Sequence, residues 1–451
     1  MEKEQLKSVR HFVEEFERLG ANGTVAPPWL VERRESALSI FKDAGFPTTK
    51  VEAWRFTDVR PIARRMFTVV GIDDRAAVER SDVEPYLLGS DSRICAVFVN
   101  GNFRPELSTL DPRHGGVTVA SLRSLLPTDG QVVEHHLSRY ASDAANSLTA
   151  LSTAFLRDGA LVHVDRDVAL DEPIQLLFLA TPAPGLNQVW HPRTLIVVEE
   201  GARASVVESY VALSDGEYWT NAVTEVAIDD NAELKAYRVQ RESTEAYHTA
   251  ATHSRQGRDS RYYAATFVFG GALTRHDISA VLDGEGGEAT LNGLSLVTSG
   301  QHVDHHTLLE HARPHCNSWE YFNGVYDDHS RGVFNGRIIV RPGAQKTDSK
   351  QTSNNLLLSP DARADSQPQL EIYADDVKCT HGATLGPIDE RQLFYLQSRG
   401  LNREDARSLL TYGFAAEILR DVEHEELRGM LDRIVRSFLT EGARKRIASE
   451  A

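Results

Sequence analysis

The chain has 451 residues, 41% hydrophobic and 25% charged, which is too long for one ordinary core and predicts two or three structural units, or one repetitive unit with appendages. Its net charge of −16 argues against nucleic acid and anionic membranes as partners, and no apolar run reaches the roughly 20 residues of a membrane span. The three cysteines, Cys95, Cys316 and Cys379, lie far apart without a CxxC pair, which argues against a zinc knuckle or a disulfide framework and fits reduced thiols.

The Glu- and Lys-rich start, Met1 to Glu17, lacks the apolar segment of a secretory signal, so a soluble cytoplasmic protein is expected. Leu6, Val9, Phe12, Val13, Phe16 and Leu19 recur at helical spacing until Gly20. Pro27 and Pro28 open a second helix with Leu30, Ala37, Leu38 and Phe41 on its apolar side, and Gly45 and Pro47 stop it. A mixed stretch follows, with a strand over Ile94 to Val99 and a turn at Asn100-Gly101. Residues 1–160 read as a mostly helical N-terminal region.

From 161 to 386 short alternating runs are divided by turns rich in Gly, Asp and Asn. Gly201, Asn231, Gly257 and Gly286 mark successive turns 30, 26 and 29 residues apart. Ala222/Thr224/Val226/Ile228, Tyr263/Ala265/Phe267/Phe269 and Phe334/Gly336/Ile338/Val340 show the two-residue period of strands. Such a series suits a β-solenoid of roughly eight stacked coils, because a single coil cannot bury its inner face alone. A flat β-sandwich is the competing architecture. Small residues expected inside (Ala222, Ala265, Gly336, Ala344) and the polar run Gln351 to Asn355, expected as a ladder at the bends, favour the solenoid.

After 387 the chain turns helical again. Asp389 with Gln392, and Asn402 with Asp405, read as helix caps, and Gly400 as a stop. Ala406, Leu409, Leu410, Phe414, Ile418 and Leu419 supply an apolar stripe, and a last helix runs from about Glu423 to Arg446.

Four segments carry possible chemistry. Gly343-Ala344-Gln345-Lys346-Thr347 resembles half a phosphate loop, but Gln345 stands where the loop needs glycine, so no nucleotide is expected on this chain. His302, His305, His306 and His311, with Asp304 and Glu310, allow a metal site if His302 and His306 share a face, although a polar outer strand face is the simpler reading. Asp327-Asp328 and Asp375-Asp376 provide the carboxylates that a β-helical polysaccharide-active enzyme requires, or else they sit at solvated turns. Cys379 and His381, two apart on a strand, project from one face as soft ligands for iron, copper or zinc. Two ligands do not close a site, so a second chain must complete it or the pair is a buried cysteine and a turn histidine.

Longer matches are more specific. Tyr326 to Ser359, with Gly332-Val333-Phe334-Asn335-Gly336-Arg337 and Arg341-Pro342-Gly343-Ala344-Gln345-Lys346-Thr347-Asp348, resembles the signature of the SufB/SufD family of iron–sulfur cluster assembly proteins. So do Pro368 to Thr384 and Leu393 to Gly400, and Gly45 to Asp58 is similar to the family's N-terminal helical part. The resemblance implies an α+β chain built on a right-handed parallel β-helix flanked by N-terminal (1–160) and C-terminal (387–451) helical regions. It implies a non-catalytic scaffold that works with SufB and with the ATPase SufC, and a transient iron–sulfur cluster at the interface with SufB. Leu396 stands where SufB-type chains carry cysteine, which points to the SufD branch and leaves a SufB-like subunit as the alternative. The resemblance assigns His381 to the nascent cluster site, with Cys379 beside it in a less certain role. The edge at Leu370, Ile372 and Tyr373 is then expected to pair with SufB, or with a second copy as a homodimer when SufB is absent. Phe394, Tyr395, Arg399 and Gly400 mark the expected SufC docking unit.

Overall fold

The computed structural model describes residues 2–20, 26–72, 76–89, 94–110, 115–126 and 131–450, with side chains from 5 to 440. Its centre is a β-solenoid of about eight turns. Each coil lays one strand in each of two sheets, from Gly159–Val164 and Ile174–Ala180 in the first coil to Arg363–Ile372 and Lys378–Gly386 in the last. Successive strands within a sheet are parallel and in register, so every position forms a file along the rod.

The corners explain the period. Asp167, Gly201, Asn231, Asp259, Gly286, His315 and Lys346 all have positive φ, and from Gly201 to Lys346 they follow one another at 27 to 31 residues. Glycine adopts this conformation freely, and Asn and Asp tolerate it better than other residues. Each corner N–H donates to a carbonyl of the next coil: Gly201 to Asp230 (3.0 Å), Asn231 to Arg258 (2.7 Å), Asp259 to Glu285 (2.9 Å). The equivalent of Gly201 and Asn231 in the fourth coil is therefore Asp259, not Gly257, whose N–H donates to Ile228 instead.

Two placements differ from the expectation. The run Gln351 to Asn355 lies within the strand Asp348–Leu357 and not at a bend. Gln351 is fully buried in the lumen, whereas Asn354 lies on the outer side, bonded to Asn323 (3.2 Å) and Thr384 (2.7 Å) in the coils on either side. Ala265 faces outward and packs, with Phe267 and Leu294, under the C-terminal helices. A two-residue period cannot tell inside from outside when both faces are covered.

Both outer faces are covered. On the first sheet, Phe12, Phe41, Phe46 and Trp54 of the N-terminal region pack on Trp219, Tyr247 and Leu273. On the second, Ala415, Ile418, Leu419, Leu427 and Leu431 pack on Tyr237, Phe267, Leu296 and Val325. These come from the helices Arg403–Leu419 and Glu425–Glu450, preceded by Glu390–Ser398. Asp389 caps by accepting from the Arg391 N–H (2.8 Å), and Asn402 by accepting from the Asp405 N–H (2.8 Å).

The two sheets begin before residue 160. Ile94–Val99 runs parallel beside Ile174–Ala180 and turns at Asn100-Gly101 into an antiparallel hairpin with Asn102–Phe103. Val117–Ser121 lies antiparallel to Gly159–Val164. Phe98, Phe178 and Tyr210 stack at 4.9 and 4.7 Å and fill the lumen there. Among the described residues no helix is long and apolar enough to cross a membrane.

Candidate functional site

The other end of the solenoid is built differently. Arg363–Ile372 and Lys378–Gly386 are the last strands of their sheets, so among the described residues each has one edge without a partner strand. Ile372, Tyr373 and Leu385 are exposed there, and Leu370 is half-buried against the lumen core.

Cys379 and His381 stand on the lumen side of the last strand. Cys379 follows Ser318 and Ser349 in one file, and His381 follows Glu320 and Gln351 in the next. The alternation that put both side chains on one face thus puts them in the mouth of the lumen. His381 is exposed and Cys379 half-buried. Burial, and then the nearby Asp348 carboxylate, push the Cys379 thiol above its ordinary value.

Beneath His381 lies a polar file that sequence reasoning missed. The buried Glu320 carboxylate accepts from Gln351 Nε2. Burial pushes its carboxyl up to about 7, opposed only by the neutral Thr307 and Gln351 side chains beside it. An isolated Glu320 or Gln351 in a strand carries no signal in sequence. Only the register brings them onto one line with His381.

The remaining segments resolve as architecture. His305 points inward, bonded to Ser295 (3.0 Å) and packed on Phe322. His302 and His306 point to the other side, as alternation requires, but that side is not solvated. His302 bonds Thr57 (2.8 Å), and His306 approaches Asp304 (3.0 Å), which also pairs with Arg275 (2.8 Å) under the N-terminal region. His311 is buried on Ser318 (2.9 Å), and Glu310 pairs with Arg341 (2.8 Å). Gly343 to Thr347 forms a coil corner, with Lys346 paired to Asp376. Asp327 and Asp328 bind neighbouring turn groups, as Asp375 does with Gln345 (2.8 Å), so the acidic pairs sit at corners. His163 lies near Glu199 at Nε2 (2.9 Å) and Asp165 at Nδ1 (3.6 Å), so the two carboxylates bracket the ring and do not converge on one nitrogen.

On the C-terminal helices Phe394 is 72% and Tyr395 56% exposed, with the Arg399 guanidinium 5.3 Å from the Tyr395 ring. Gly400, at positive φ, ends that first helix.

The chain is thus a β-solenoid with one open, half-polar mouth and helical units packed on both outer faces. The model of the SUF system FeS cluster assembly SufBD core domain matches residues 180–414, that of the SufBD protein N-terminal region matches residues 11–176, and the chain belongs to the SufBD family. A SufBD family iron–sulfur cluster assembly protein of Synechocystis is 32% identical over 90% of each chain. The iron–sulfur cluster assembly protein SufD of Escherichia coli is 32% identical over 94% of this chain and 96% of its own. That of Bacillus subtilis is 26% identical over 91% and 94%.

Proposed function

We propose that this chain is a SufD-type, non-catalytic scaffold of cytoplasmic iron–sulfur cluster assembly, which pairs with SufB through the open end of its solenoid and docks the SufC ATPase on its C-terminal helices. The observation that carries this is the position of His381. It is an exposed imidazole at the lumen mouth, between two unpaired strand edges and beside exposed Ile372, Tyr373 and Leu385. A neutral imidazole binds iron, and its local partners are too few to close a site. The missing ligands come from the chain that covers the mouth, and the nascent cluster is cargo held between the two. Without SufB a second copy covers the same edge as a homodimer. The SufD-type reading is favoured over a SufB-like subunit by Leu396 and by the relatives named SufD.

The test is complementation of a strain lacking this subunit, with metal analysis of the complex with SufB and SufC. His381→Ala should remove cluster assembly while melting temperature and both partners are retained, and Cys379→Ala should have the smaller effect. Full complementation by His381→Ala would remove the residue from the mechanism, and a large fall in melting temperature would make it structural.

A further inference from the structure

The file beneath His381 has a direction. Gln351 is fully buried, Cα-paired with Glu320 on one side and with His381 on the other. Its amide N–H donates to Glu320. Among the described residues its Oε1 has no hydrogen-bond partner, although it is buried. An unmatched buried acceptor is costly, which makes a donor on the neighbouring coil its favourable partner.

The opposite sheet makes room for this amide. A Cβ on Gly336 would collide with Gln351 Nε2 and Cδ. Glycine at 336 therefore leaves the space across the lumen that the Gln351 amide fills, with Phe334 beside it. The geometry is over-determined: Glu320 holds one end of the amide, Gly336 admits it, and the next coil lies about 4.8 Å on.

We infer that Glu320 and Gln351 are positioning residues for His381: Glu320 fixes the amide so that Gln351 Oε1 accepts the N–H of the His381 ring nitrogen facing the lumen, which leaves the other nitrogen unprotonated and turned outward. Histidines that bind metals are generally held in this way, with the second N–H committed to an acceptor that sets tautomer and ring orientation. No bond is made or broken in the relay. It selects which nitrogen carries the proton. The inference deepens the proposed role of His381 and rests on it only for its purpose, not for its geometry.

The experiment reads the imidazole of His381 directly, in the full-length chain labelled with 15N at histidine, at a pH well above the ordinary histidine range so that the ring is neutral. The His381→Ala variant assigns the signals. In the wild-type protein the two ring-nitrogen signals should be widely separated, as for a single tautomer. Gln351→Met, near-isosteric but without the acceptor, should bring them together as the two tautomers mix. Gly336→Ala, which displaces the amide from the opposite sheet, should do the same, and serves if Gln351→Met does not fold. A wild-type His381 that is already an even tautomer mixture overturns the inference, as does an unchanged signal pair in a folded variant. Complementation by Gln351→Met separates the two readings. Converged signals with full complementation keep the relay and show that cluster assembly does not need it, whereas removal of His381 itself is read from His381→Ala.

Discussion

The Arg275 guanidinium lies over the Trp54 ring, 3.8 Å from its centroid, and ties the N-terminal region to the outer side of the solenoid. Arg275 donates to the Ala53 carbonyl (2.7 Å) and pairs with Asp277 (2.7 Å) and Asp304 (2.8 Å), and Thr57 donates to Asp304. Burial would raise the Asp304 carboxyl, but His306 and Arg275 beside it outweigh burial and hold it well below the usual carboxylate range.

Removing one partner from such a buried set strands the other. Asp304→Asn keeps the shape and removes the charge, and should cost about 3–5 kcal/mol in urea denaturation. A loss below about 1 kcal/mol would mean that the Trp54 stack and Asp277 suffice without it.

Glu320 gives the protein a pH signature. Its carboxyl is pushed from 4.5 to about 7, so the folded chain holds this proton longer than the unfolded chain. The contribution is fully present below the unfolded value and is lost as pH rises through the window up to about 7, a total of about 3 kcal/mol. Glu320→Gln cannot ionise. It should therefore be more stable than wild type above pH 7 and gain nothing below the unfolded value of 4.5. Denaturation midpoints across that window, taken for both proteins, check this. A difference that stays constant with pH would contradict it.

The exposed pair Phe394 and Tyr395 allows a test of SufC docking that leaves the fold alone. Deleting everything after Gly386 would uncover Tyr237, Phe267, Leu294 and Val325, so truncation confounds docking with stability. Phe394→Ser with Tyr395→Ser removes exposed apolar surface only. It should leave the melting temperature unchanged and reduce co-purification of SufC by tenfold or more, on the order of the 1–2 kcal/mol expected for each interface anchor. Undiminished co-purification would place docking elsewhere.

Gly293 tests packing inside the lumen. A Cβ there would run into the Phe322 ring, which packs on Phe334 (4.9 Å) and on His305 (5.4 Å). Gly293→Ala should cost about 1–3 kcal/mol by overpacking. Gly343→Ala meets nothing within 4 Å and should be near neutral. Equal melting temperatures for the two variants would refute the argument.

These contrasts mark what the sequence could reveal. The strand period and the Gly/Asp/Asn corners were legible because each is a local demand of the backbone, as Gly201 and Asn231 show. Asp259 was harder to find than Gly257, since aspartate marks its conformation less strongly than glycine. Alternation separated His305 from His302 and His306 correctly, but did not reveal that Thr57 and Trp54, more than two hundred residues earlier, cover the outer side. Cys379 and His381 were legible as a pair on one face. Glu320 and Gln351 were not, because their relation to His381 exists only once coils stack in register.

The two ends of the rod are unequal, and this limits what the chain can build. At the first end antiparallel strands lie beyond the first coil and the Phe98–Phe178–Tyr210 stack fills the lumen, while at the last end Cys379 and the exposed His381 stand in the mouth. A rod open at both ends would add copies head to tail and grow into a filament. Under the pairing proposed above, a partner that covers the mouth meets the last strands of both sheets at once. Assembly along the axis would then stop at two rods, with the file that ends at His381 close to the join.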